Sequence, residues 1–314
     1  MNKSKITLTL RILFSSFLLA LLLWLMRENF TKIWQLLSSV KLPLFGLAFL
    51  LFAIATFLLA VRLKLVLAAQ NANFKIKELY SLTLIGYFFT NFMPTSVGGD
   101  LVKGYYISKK NTKLTSYSSI FVDRFIGMLS LVSIAVIALL FTTKETQHGF
   151  VFWTIGFLFL SCSLFVLLLT NKKLLKKILE FLGFMRLIKR LKLDSLLKRA
   201  YDSINSYANQ KTKLLPVFAL SFVSQFIVFV SIHLLINSLS AQAPFGKILF
   251  TMPIVFALCN VPITMNGLGL REWGFVFFLS PNIGEAAAIS ASFLYLAMFL
   301  MLSVLGGITY LFRR

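Results

Sequence analysis

Six stretches of this sequence are each long and apolar enough to cross a bilayer as a single helix. They run at about Leu10–Met26, Leu44–Ala68, Ser119–Phe141, Phe150–Leu169, Leu214–Leu239 and Ala286–Phe312. A spanning helix needs about 20 predominantly apolar residues. Inside hydrocarbon every backbone N–H and C=O must find its partner within the protein, which favours helices for segments of this length. The expectation is an all-α polytopic membrane protein with about six full transmembrane helices. The first run follows a basic tail (Lys3, Lys5, Arg11), but its apolar core exceeds that of a signal peptide and no A-x-A-like cleavage site follows it. It reads as a retained helix. Both cysteines, Cys162 and Cys259, lie inside apolar runs, and the chain has no CxxC, HExxH or P-loop. No disulfide, metal or cofactor is expected.

The net charge of +22 would suit a nucleic-acid binder if it lay on a soluble face. Instead, twelve of the 32 basic residues fall in Lys172–Lys213, against the acids Glu180, Asp194 and Asp202. Basic loops beside apolar helices report topology, and basic amphipathic helices report anionic lipid. No nucleic-acid partner is expected. Apolar residues such as Leu174, Ile178, Leu182 and Ile188 recur between those lysines and arginines. The segment 171–213 is either a helix lying on the inner membrane surface or a solvated connector. With the N-terminus inside, the cytoplasmic segments also hold Lys3, Lys5, Arg11, Arg62, Lys64, Lys75, Lys77, Lys103, Lys109, Lys110, Lys113, Arg313 and Arg314. The external loops hold Arg27, Lys32, Lys41, Lys144 and Lys247. The positive-inside rule then places both termini in the cytoplasm.

Two interruptions do not fit straight spans. Asn91–Lys103 reads NFMPTSVGGDLVK, and Asn260–Glu272 reads NVPITMNGLGLRE. Each has an asparagine, then a proline, then glycines, then an acid and a base. Pro94 and Pro262 lack the N–H that would continue the incoming helix and bias the preceding residue out of helical geometry. Gly98 and Gly99, and Gly267 and Gly269, permit a tight reversal. Two re-entrant hairpins follow, at about Leu79–Asn111 and Phe245–Ser280, entering from opposite sides. Paired broken segments in matching places of two halves point to an inverted-repeat transporter; two kinked spanning helices would be the plain alternative. The domain organisation is one integral membrane unit over 1–314, with a first half at about 1–142 and a second at about 214–314. Irregular backbone at that depth must be buried or line a wet cavity. The outgoing half-helices, from near Asp100 and Leu270, would bring their electropositive N-termini to one central anion site.

Several side chains at these places could carry chemistry. Asp100 and Lys103 are three apart and share a helix face. Arg271 and Glu272 open the second half-helix beside a Gly-x-Gly turn that suits an anion nest. Asp123 and Arg124 start the third span, and Ser119, Asp123, Gly127 and Ser130 fall on one stripe. Charges at membrane depth cost several kcal/mol unless buried and paired, so this stripe faces inward or else Asp123 and Arg124 snorkel to the interface. Ser221, Ser224, Gln225 and Ser231 read first as helix-packing groups, as does His233. Ser303 and Gly307 form a small-xxx-small pair for close packing.

Three motifs in this order, PTSVGGDLVK (Pro94–Lys103), DRFIG (Asp123–Gly127) and PITMNGLGLRE (Pro262–Glu272), cover about 180 residues. Together they resemble the flippase-like membrane domain of lysylphosphatidylglycerol synthases, the multiple peptide resistance factor family, which also occurs as stand-alone membrane proteins. The resemblance extends over essentially the whole chain. It implies movement of a lipid headgroup across the bacterial inner membrane, with aminoacylated phosphatidylglycerol the best-known case and other anionic or polyprenyl-linked lipids in stand-alone members. By motif position it implies a lipid path lined by Gly99, Asp100, Lys103, Asp123, Arg124, Gly269, Arg271 and Glu272. Gly127 stands where many members carry an acid, so the local charge balance differs. The soluble aminoacyl-transferase domain of the full synthase is not in this sequence, so the chain is not expected to make lysyl-lipid itself.

The resulting expectation is a lipid transporter and not an enzyme. Its partners would be membrane lipids, and it could form a homo-oligomer or pair with a separately encoded synthase. Arg271→Ala is expected to abolish translocation without changing expression. Two rivals stand beside this reading: an intramembrane lipid-modifying transferase with Asp123 or Glu272 as base, and a non-transporting partner of a synthase.

Overall fold

The computed structural model describes residues 21, 29–93, 97–140, 149–170, 202–207, 210–260, 264 and 266–313. Ten helices follow one another among them. They are α1 (Phe30–Ser38), α2 (Leu42–Ala69), α3 (Ile76–Phe92), α4 (Gly98–Ser108), α5 (Lys113–Leu140), α6 (Gly149–Thr170), α7 (Lys211–Ser238), α8 (Phe245–Asn260), α9 (Leu270–Ile283) and α10 (Glu285–Leu311). A further helical piece covers residues 202–207. Among the described residues, Leu42–Ala69, Lys113–Leu139, Thr212–Ser238 and Glu285–Leu311 are each long and apolar enough to cross a membrane. The chain is a multi-pass membrane protein of all-helical class. The run Leu10–Met26, apart from the helical Leu21, lies outside the described residues, as do Pro94, Pro262 and most of the basic segment 171–213.

Local chemistry sets the helix ends. Pro43 sits in the first turn of α2, where its missing N–H has no partner to lose. The N–H of Thr115 is capped by the Thr112 hydroxyl at 3.1 Å, which opens α5. Gly284, with φ +79, ends α9 and begins α10 within a single residue, a backbone conformation that suits glycine. Outward-facing positions are apolar, among them Leu50, Phe57, Trp153, Leu160, Val304 and Leu311. Lipid replaces water there, so helix association rests on close packing and buried polar bonds. At Gly306 of α10 an added Cβ would lie 1.9 Å from the Leu84 carbonyl oxygen, and this lets α10 press directly on α3.

Polar contacts between helix ends sort them onto two faces. On one face Glu78, near the start of α3, binds Lys110 after α4 at 2.9 Å and Arg313 after α10 at 3.4 Å. Gln70, after α2, donates to Ser206 at 2.6 Å. On the other face the Lys41 N–H, before α2, donates to the carbonyl of Ser238 at the end of α7 at 2.9 Å. There too Asn29 reaches Glu285 at the start of α10 at 3.3 Å. The α3–α4 pair therefore has both open ends on the first face, and the α8–α9 pair has both on the second.

Helix lengths and packing recur in the two halves. The four helices α2–α5 have 28, 17, 11 and 28 residues, and α7–α10 have 28, 16, 14 and 27. Helix α2 packs along α7, α3 packs on α10, and α8 packs on α5. The short α1 packs on α10, while the piece 202–207 meets α5 through Ser203–Ser118 at 2.8 Å and Tyr207–Ser119 at 2.7 Å.

Candidate functional site

The innermost ends of the two short pairs meet. The Asn266 side chain, on the turn before α9, donates to Asn91 Oδ1 at the end of α3 at 2.8 Å, and Asn91 Nδ2 donates to Ser303 of α10 at 2.7 Å. Gly98 and Gly99 take no positive φ and lie within a helix, unlike Gly267 and Gly269. Gly98 and Gly99 are buried in the first turn of α4. An added Cβ at Gly99 would come within 2.2 Å of the Gly86 carbonyl oxygen, so the glycine is what lets α4 lie on α3. Asn266, Gly267 and Gly269 all have positive φ (50°, 73° and 83°), which turns the chain sharply into α9.

Beside this junction lies a cavity of about 310 Å³. Asp100 and Lys103 of α4, Asp123 and Arg124 of α5, Arg62 of α2 and Arg271 of α9 all line it. Asp100 accepts from Lys103 Nζ at 2.6 Å and from Arg124 Nη1 at 2.9 Å, one cation on each carboxylate oxygen. Arg124 Nη2 also donates to the Asn260 carbonyl at 3.1 Å and to its Oδ1 at 3.3 Å. This arginine thus joins α5 to the inner ends of both pairs. Asp123 instead takes a two-pronged bond from Arg62, with Nε and Nη2 each at 2.7 Å. Such a fork is the geometry in which a buried ion pair best offsets its desolvation. The third arm of Arg62 donates to Ser221 at 2.9 Å, and Ser221 bonds Ser130 at 2.8 Å. A Cβ at Gly127 would lie 3.0 Å from Arg62 Nη1, so Gly127 clears the space this arginine occupies.

The second acid–base pair is set deeper. Glu272 is fully buried. Its Oε2 accepts the Gly269 N–H at 2.7 Å, satisfying one of the open donors at the start of α9. Its Oε1 accepts from Arg271 Nε at 3.0 Å and from Ser292 at 3.3 Å. The Arg271 guanidinium lies over the Tyr295 ring, 5.7 Å from its centroid, within the range of a cation–π contact.

Of the ten residues singled out in the sequence, Asp100, Lys103, Asp123, Arg124 and Arg271 face one cavity. Gly98, Gly99, Gly267 and Gly269 shape the backbone around it, and Glu272 stands behind Arg271. The starts of α4 and α9 both reach the cavity, through Asp100 and Arg271. Arg62 corrects the charge map. Counted with Lys64 among cytoplasmic cations, it is 6% exposed inside α2, whereas Lys64 is exposed. The available signal was its position within the apolar run Leu44–Ala68. The asparagines Asn91, Asn260 and Asn266 carried no sequence signal beyond their place next to the prolines and glycines.

The other polar groups divide as helix-packing groups do. Ser231 donates to the Ala48 carbonyl at 2.7 Å across α7 and α2, and His233 stands edge-on to Phe245. Gln225 lines the cavity. Larger depressions of about 680 and 730 Å³ open at the face carrying Glu285 and Lys41, away from the charge cluster. Four cations (Arg62, Lys103, Arg124, Arg271) meet three carboxylates (Asp100, Asp123, Glu272), leaving this set with one positive charge in excess.

The family model described as the lysylphosphatidylglycerol synthase TM region matches residues 8–307. A UPF0104 membrane protein, MJ1078 of Methanocaldococcus jannaschii, is 24% identical over 217 residues, covering 66% of this chain and 86% of that protein.

Proposed function

The chain belongs to the lysylphosphatidylglycerol synthase transmembrane-region family, and from that premise we propose that it is a flippase-like carrier that moves an anionic lipid headgroup across the cell membrane. One observation carries the reading. Charged side chains from two short helix pairs, whose open ends lie on opposite faces, converge on one cavity inside a bundle with an apolar exterior. Charge at that depth is costly and is retained where it lines a path for polar cargo. In this reading α3–α4 and α8–α9 are re-entrant hairpins. At 1.5 Å per residue α4 extends about 17 Å and α9 about 21 Å, short of a hydrocarbon core of ~30 Å. The matching lengths and reciprocal packing of α2–α5 and α7–α10 support an inverted repeat within one domain. The face carrying Lys75, Lys77, Lys109, Lys110, Lys113 and Arg313 is cytoplasmic by the positive-inside rule. With the helix expected at Leu10–Met26, both termini are then inside.

The excess cation favours a phosphate-bearing headgroup, either a phospholipid or a polyprenyl-linked lipid, whose acyl chains stay in the bilayer. Lys103, Arg124 and Arg271 would contact the headgroup, with Asp100 and Glu272 holding them in place and Asp123 holding Arg62 beside them. The chain moves the lipid without altering it. The test is reconstitution of the purified protein into liposomes containing fluorescent phosphatidylglycerol, with dithionite quenching to follow exchange between leaflets. Wild-type protein is expected to speed exchange, and Arg124→Gln, confirmed monodisperse and folded, to abolish the gain. Equal rates from the two proteins would defeat the assignment. A chemically altered lipid recovered from the vesicles would favour a transferase. A well-folded wild-type protein that moves nothing would favour a partner of a separate synthase.

A further inference from the structure

We propose that Asp100 is a built-in counter-anion which the phosphate of the lipid headgroup displaces from Lys103 and Arg124, so that binding at this site is an exchange of anions. The inference rests on the carrier reading above and adds to it which cations bind the headgroup and what regulates its release. Three acid-centred charge clusters stand at or beside the cavity, and their exposure separates them. The side chains of Asp100, Lys103 and Arg124 are 19%, 17% and 23% exposed, against 11% and 8% for Asp123 and Arg62, and 1% and 6% for Glu272 and Arg271. An incoming headgroup therefore meets the Asp100 cluster first.

The geometry of that cluster suits displacement. Each carboxylate oxygen of Asp100 takes one cation, Lys103 or Arg124. Two phosphate oxygens can be bound in the same way, since guanidinium and ammonium groups bind carboxylate and phosphate alike. Arg124 would not lose its place in the exchange, because its other arm stays on Asn260, at 3.1 Å and 3.3 Å. Lys103 is steadied by its stem, which lies against Gly86.

The energetics give the acid its purpose. Two largely buried cations held side by side would repel one another without a counter-anion. Asp100 neutralises them while the site is empty. A phosphate that replaces it regains much the same electrostatic stabilisation, so binding is nearly balanced and the headgroup can leave again. Transport requires affinity strong enough for capture and weak enough for release.

The sign of one substitution separates this from a plain binding role. If Asp100 competes with the ligand, Asp100→Asn tightens binding, whereas Lys103→Gln and Arg124→Gln weaken it. Removing one charge-assisted competitor is expected to tighten binding about tenfold. The experiment is calorimetric titration of full-length protein in neutral detergent with dihexanoyl phosphatidylglycerol, and in parallel with inorganic phosphate. Tightening with the short-chain lipid alone identifies the lipid as the ligand. The same tightening with both probes shows that the phosphate suffices. Unchanged or weakened lipid binding in Asp100→Asn overturns the proposal, as does binding too weak to measure.

If Asp100→Asn does not fold, the double variant Asp100→Asn/Lys103→Gln keeps the local net charge unchanged. It is expected to bind more tightly than Lys103→Gln alone, and weaker or equal binding overturns the proposal. Liposome exchange separates this inference from the reading it rests on. Transport by wild type without tightening in Asp100→Asn sinks only the counter-anion. Tightening without transport by wild type sinks only the carrier.

Discussion

Asp100 and Glu272 are each the third residue of their helix, α4 and α9, and each follows a glycine-bearing turn near the middle of the protein. Their surroundings differ because one side chain is a methylene longer. Glu272 can fold back along its own helix and accept the Gly269 N–H, which is the reach a capping glutamate needs. Held there, it draws the neighbouring Arg271 onto its other oxygen and is closed off from the cavity. Asp100 is a methylene shorter and turns sideways to Lys103 and Arg124, where part of it stays open to the cavity. The same charge at the same helical position is a structural fastener in one half and an exchangeable group in the other.

The strongest way to break this comparison is to neutralise each acid. Glu272→Gln leaves the Arg271 cation buried without its counter-ion, a change that costs about 3–5 kcal/mol. Asp100→Asn leaves Arg124 still bonded to Asn260 and Lys103 facing the cavity, where water can reach it. Its cost is expected to be about 1–2 kcal/mol, that of losing charge-assisted bonds at a hydrated site. Reversible unfolding in mixed micelles measures both. Equal losses would show that the two acids play the same structural part.

Much of this arrangement could be read from the sequence, and the parts that could not share a physical cause. Hydropathy located the spans found at α2, α5, α7 and α10, because lipid forces long apolar helices. The Pro and Gly interruptions marked the breaks before α4 and α9. The Asp100–Lys103 pair followed from spacing on one helix. The partner of Asp123 did not, since Arg62 lies 61 residues away on another helix. Arg62 also shares a short stretch with the exposed Lys64, and only helix rotation sends one inward and the other out. The closeness of Arg271 to Glu272 was equally hidden, because adjacent residues on a helix do not normally face each other. It arises because Glu272 bends back to its cap. Since that pair is buried, Arg271→Ala would now be expected to disturb folding, and the transport test belongs at Arg124.

A paired substitution sharpens the contrast between fastened and exchangeable charge at α2 and α5. Arg62→Met alone strands Asp123 in the interior and is expected to lose stability on the scale of a broken buried pair, about 3–5 kcal/mol. Adding Asp123→Leu removes the stranded charge, and Ser221 keeps its bond to Ser130. Buried ion pairs are often replaced by apolar residues without net loss. The double variant should therefore regain most of the stability and still bind phosphatidylglycerol. Regained stability with lost binding would move this pair from the framework into the headgroup site.

The smallest effect isolates the single methylene. Glu272→Asp keeps the charge and its place beside Arg271 but shortens the reach to the Gly269 N–H. A lost helix cap costs about 1 kcal/mol. The loss should appear as faster hydrogen exchange confined to the first turn of α9, because Arg271 keeps its counter-ion and the rest of the helix stays packed. The reciprocal change, Asp100→Glu, lengthens the acid that faces the cavity and gives it the reach to cap α4. If it does so, it withdraws from Lys103 and Arg124, and phosphatidylglycerol binding tightens much as it does when the charge is removed. Unchanged exchange in Glu272→Asp would mean that the cap bond contributes nothing and that side-chain length does not distinguish the two acids.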